Sequence, residues 1–124
     1  MDAARPLRAT NLDRNTVLAE RVVLAERWGA RLRGLLGRDG LAEGEALLIR
    51  PCTSIHSCFM RFVFDAVFLD AEGRVRHLVP RMKPWRFSRV VLDAAGVLEL
   101  PAGVIEKTGT RLGDRVELAP APAP

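Results

Sequence analysis

The chain has 124 residues, 48% hydrophobic and 27% charged, with a formal net charge of +4; that bounds it to one domain with a real core and excludes global disorder. No run approaches 18 apolar residues, so no membrane-spanning helix is expected. Met1–Pro6 lacks the apolar stretch of a secretory signal, which places the chain as given in the cytoplasm, although a processed exported form would read the same.

Taken in chain order, Leu7–Leu12 and Val17–Ala25 read as short strands around a turn at Asp13–Asn15. The period then changes: Trp28, Leu32, Leu35 and Leu36 recur at helical spacing, with Gly37 as the stop. Arg27, Arg31 and Arg38 share one face of that helix, the pattern of a solvated surface or of an anion-facing stripe, and Arg33 points elsewhere. Ala46–Ile49 is a third strand, stopped by Pro51. Phe64–Leu69 and Val75–Val79 flank a hairpin loop, Asp70–Gly73, and the first of these strands is apolar on both faces, so it belongs inside the core. Val97–Leu100 is another strand. Pro101 opens a short helix to about Lys107, closed by Gly109, and Leu112–Val116 turns into a final strand. The Ala/Pro tail at 119–124 is expected to fray, leaving 1–118 as one β-rich domain. Many short strands with two short helices predict a mainly-β sandwich or barrel.

The run Pro51–Phe62 concentrates the chemistry: both cysteines, His56 and Met60 lie within it. If it is extended, Ser54, His56, Cys58 and Met60 share one side. Neighbours on that side stand about 6.6 Å apart, so binding one metal would need a bend, and no C-x-x-C or zinc spacing is present; no metal is expected. Cys52 and Cys58, too far apart in an extended segment for a disulfide, read as reduced thiols. Phosphate-loop and dinucleotide signatures are absent, and no cofactor is expected.

Asp65 puts a carboxylate on a two-sided apolar strand, which is costly without a partner. His56, Arg61, Arg33 and Arg86 are the candidates. The pairing serves equally as a structural clamp or as the orienter of a working imidazole. Arg81–Arg89 sets four cations around Trp85 and Phe87 in a loop; an exposed Trp beside Arg86 can stack on a flat ligand, or plug the end of a sandwich. Of the basic residues 17 are Arg and 2 Lys, and no nucleic-acid motif accompanies them, so the expected partner is a small molecule.

Arg33–Arg38, Pro51–His56 through Phe59–Phe62, Asp65–Asp70, and Val97–Gly103 with Leu112–Asp114 resemble domain-of-unknown-function family 192 over roughly residues 15–118. The resemblance implies a small, mainly-β fold without an established activity. It places a shared site at His56, Met60, Asp65 and Arg33; Ser57 and Cys58 stand where the family usually has a threonine and an aromatic.

The first expectation is a module binding a small anionic or sugar-like ligand. His56 and Asp65 would form the polar end of its pocket, Trp85 the wall, and Arg33, Ser54, Met60 and Arg86 further contacts. The second is an enzyme using His56 as general acid or base, oriented by Asp65; the third is a structural or interaction domain. Oligomeric state is not legible.

Overall fold

A computed structural model describes residues 7–25, 40–58 and 60–122. The helix expected around Trp28–Leu36, and Arg33 with it, lies outside them. The strands are β1 (Leu7–Asn11), β2 (Thr16–Ala25), β3 (Glu45–Ile49), β4 (Phe64–Leu69), β5 (Val75–Met82), β6 (Gly96–Pro101) and β7 (Val116–Pro120), with one described helix, α1 (Val104–Thr108). The expected mainly-β class holds, in the form of a single seven-stranded sheet ordered β5-β4-β6-β3-β2-β1-β7. Its pairings are antiparallel except β2 with β3.

The two ends of that order meet. Val75 N donates to Asp114 O at 2.9 Å, Gly113 N to Val75 O at 2.8 Å, and Val116 N to Gly73 O at 2.8 Å, so the sheet curls into a half-barrel. The apolar cluster inside the curl draws on all seven strands and α1, including Ala9, Val22, Leu48, Val67, Leu98 and Ile105. A second cluster, with Leu47, Phe64, Phe68 and Val97, lies on the outer face under the segments around Cys52–Met60 and Val91–Ala94. Period-two alternation sends each strand's residues to opposite faces, and β4, between β5 and β6, is buried along its whole length as its two-sided apolar sequence predicts.

Two local features place the candidate residues. On the edge strand β5, Phe64 pairs with Met82 but Ala66 with Val79, so one extra residue bulges near Pro80 and Arg81, and Arg81 takes φ 51°. At the other edge, β7 runs through Ala119 and Pro120, paired with Arg8 and Leu7, so the strand takes up the first two residues of the stretch expected to fray.

Candidate functional site

Asp65 lies on the inner face of β4, fully buried, and main-chain amides rather than a charged side chain surround it. Its Oδ1 accepts from Arg81 N at 2.9 Å and Gly103 N at 3.2 Å; its Oδ2 accepts from Gly103 N at 3.2 Å and Ile105 N at 2.8 Å. The β5 bulge turns the Arg81 amide inward. Gly103, at φ 99°, caps α1 without a side chain, so Asp65 serves as the missing cap from a distant strand. A carboxylate offers about four lone-pair positions, and these four contacts fill them. None of the side-chain partners expected for it, His56, Arg61, Arg33 or Arg86, is needed to offset its burial. Among the described residues no hydrogen bond or ion pair joins Asp65 to His56.

His56 is exposed, its Nδ1 accepting from Cys58 N at 3.3 Å and its ring centroid 6.1 Å from that of Phe87. It makes a single bridge to Phe87 and belongs to no strand. The expected sharing of one side by Ser54, His56 and Met60 therefore fails: Ser54 and His56 face solvent while Met60 packs in the outer cluster. Cys52 and Cys58 form no disulfide, and the Cys52 thiol donates to Ser54 O at 3.0 Å.

Trp85 and Arg86 are tied to Ser57, the neighbour of His56, which the sequence marks only as a departure from the family pattern. Buried Ser57 takes Arg86 N on its hydroxyl at 2.9 Å and donates that hydroxyl to Lys83 O; its main chain bonds Arg86 O at 2.9 Å and Trp85 N at 3.1 Å. The cue available in the sequence was a small hydroxyl residue between two polar candidates, next to a loop in need of partners. His77 packs edge-on to Phe68 at 5.3 Å; its burial, then the charge of Arg89, holds its pKa below the usual histidine value.

A concave space lies elsewhere among the described residues. A cavity of about 430 Å³ opens at the mouth of the half-barrel, between the Asp70–Gly73 loop and the start of β7. Leu48, Leu69 and Val116 line its apolar side, and Arg50, Glu72, Arg115 and Glu117 bring charge to it. Neither the Arg50 nor the Arg115 guanidinium makes a hydrogen bond or ion pair among the described residues. Asp70, also on the lining, is occupied: it accepts from the Glu72 and Arg74 amides and from Arg76 Nε at 2.8 Å. Burial acts to raise its pKa, and those hydrogen bonds outweigh it, holding the carboxyl below its ordinary value. Glycine makes the mouth possible, since a Cβ on Gly73 would sit 2.5 Å from Val116 O and one on Gly96 3.1 Å from the Arg50 Cβ. None of His56, Asp65, Ser54, Met60, Trp85 and Arg86 lines this cavity.

The model of domain-of-unknown-function family 192, described as uncharacterised ACR, matches residues 9–118. A UPF0127 protein of Thermococcus sibiricus is 31% identical over 86% of this chain and 71% of its own length. Among solved structures, a protein of unknown function from Novosphingobium aromaticivorans superposes with a TM-score of 0.76 at 22% identity, covering 90% of this chain and 83% of that one. One from Sinorhizobium meliloti, described as a proposed transcription regulator, gives 0.75 at 25% identity, covering 90% and 91%. The chain belongs to domain-of-unknown-function family 192.

Proposed function

We propose that this member of domain-of-unknown-function family 192 is a small-molecule binding module whose ligand occupies the mouth of the half-barrel. The ligand class is a hydroxyl-rich molecule carrying an anionic group, such as a sugar acid or sugar phosphate. The observation that carries the proposal is the cavity of about 430 Å³, apolar on one side, with the Arg50 and Arg115 guanidiniums at hand. Its size falls within the range of small-ligand sites, and a few polar groups over an apolar wall is how such sites fix orientation. Arginine suits the anionic group because its planar fork matches carboxylate and phosphate oxygens; Glu72 and Glu117 supply acceptors for hydroxyls. The pocket is assigned here rather than around His56 and Asp65 because the lining includes neither, and Asp65 has no acceptor capacity left to orient an imidazole.

A thermal-shift screen over sugar acids and sugar phosphates tests this. A ligand at ten times its dissociation constant stabilises by about 1.4 kcal/mol, roughly 5 °C for a domain of this size. Arg50→Ala combined with Arg115→Ala is expected to abolish the shift while leaving the unliganded melting temperature in place. No shift across the screen, or one that persists in the double variant, would refute the proposal.

A further inference from the structure

We infer that the loop spanning residues 83–92 is a docking surface for an anionic lipid bilayer. Within eight positions it leaves Trp85 57%, Phe87 76%, Val90 58% and Leu92 88% exposed. An isolated apolar residue on a surface is ordinary; four large ones in one short loop mark a contact surface. Lys83, Arg86 and Arg89 are interleaved with them, and Arg81–Leu92 contains no Asp or Glu.

The loop is built to hold these side chains outward. Ser57 pins Lys83, Trp85 and Arg86 as described; Ile55 N donates to Ser88 Oγ and Ser88 N to Ile55 O, both at 2.9 Å, and Val91 N donates to Thr53 O at 2.8 Å. Trp85 takes φ 62°, a left-handed conformation that a bulky residue adopts only where its surroundings impose it. The exposure therefore belongs to the fold.

The mixture of side chains selects the partner. Trp lodges at the headgroup boundary, aliphatic and phenyl groups reach the acyl region, and cations meet lipid phosphates. Single-stranded nucleic acid would engage Trp85, Phe87 and the cations but gain nothing from Val90 and Leu92, since stacking needs flat groups.

The test is co-sedimentation of the full chain with vesicles of mixed phosphatidylcholine and phosphatidylglycerol, against phosphatidylcholine alone, with oligo(dT) as competitor. Binding is expected on the mixed vesicles only, falling with added salt. Each of Lys83→Ala, Arg86→Ala and Arg89→Ala should weaken it about fivefold, and Leu92→Ser about tenfold. All four side chains are surface groups, so an unchanged melting temperature checks the fold. Failure to pellet with anionic vesicles, pelleting that Leu92→Ser leaves intact, or full displacement by oligo(dT) would overturn the inference.

Discussion

At Asp65 three main-chain amides hold a buried carboxylate in an apolar strand, and exchanging the charge for a neutral amide isolates what they contribute. Asp65→Asn keeps the shape but turns an NH2 toward N–H donors, so at least one buried amide loses its acceptor. The expected cost is about 2–4 kcal/mol, read as a lower urea midpoint; stability within about 0.5 kcal/mol of the parent would show that the amides find other partners. That Asp65 needs partners was legible in the sequence, because a lone charge in a greasy strand is costly. Which partners was not: amides carry no residue identity, and these come from positions 81, 103 and 105 through a bulge and a helix start. Alternation misled at His56 for a related reason, since a single bridge to Phe87 does not impose a strand's period on Ser54–Met60.

Among the elements, the β4–β5 hairpin depends most on one residue. Gly73 sits at φ 85° and offers its carbonyl to Val116 N at 2.8 Å, so the hairpin loop is also half of the contact that brings β7 across. Gly73→Ala would put a Cβ 2.5 Å from Val116 O in a conformation already unfavourable for alanine. The expected loss is about 2–3 kcal/mol in denaturant unfolding, together with faster amide exchange at Val116. An unchanged exchange rate there would mean that the two loops are not joined in solution. Gly73 was readable as a turn glycine because hairpin chemistry is local. Its second role was not, since the partner lies more than forty residues away and leaves no trace in period or turn composition. The same division holds generally here: the seven strands lie where local apolar runs are bounded by turn residues, whereas the β5 bulge and the extension of β7 through Pro120 are set by edge positions that only the assembled sheet defines.

For the molecule as a whole the decisive event is curling, which no local pattern encodes and which creates the cavity. The seam joins two loops, each braced by a buried carboxylate. Asp70 holds the Glu72 and Arg74 amides and Arg76; Asp114 holds the Arg111 amide, Asn11 and Arg14. In both, burial pushes the pKa up and the hydrogen bonds outweigh it, so each folded-state value lies below the ordinary one. A depressed folded value means that the unfolded chain binds more protons in acid, so stability rises with pH across that interval. The contribution is complete above the unfolded aspartate value of about 3.9 and is lost as pH falls through the folded values beneath it. From neutrality to about pH 5 these two carboxylates leave the urea midpoint unchanged, while His77, whose folded value is also lowered, costs some stability as pH falls below the ordinary histidine range; below pH 4 the carboxylates make the midpoint drop. An Asp70→Asn, Asp114→Asn double variant should be less stable at neutrality and show a flatter acid limb. Because both carboxylates brace the seam, the Val75, Gly113 and Val116 amides should begin to exchange in acid before those of β3 and β6. A midpoint that is level down to pH 3, or an acid limb identical in the double variant, would mean that folding holds these carboxylates no better than the unfolded chain does.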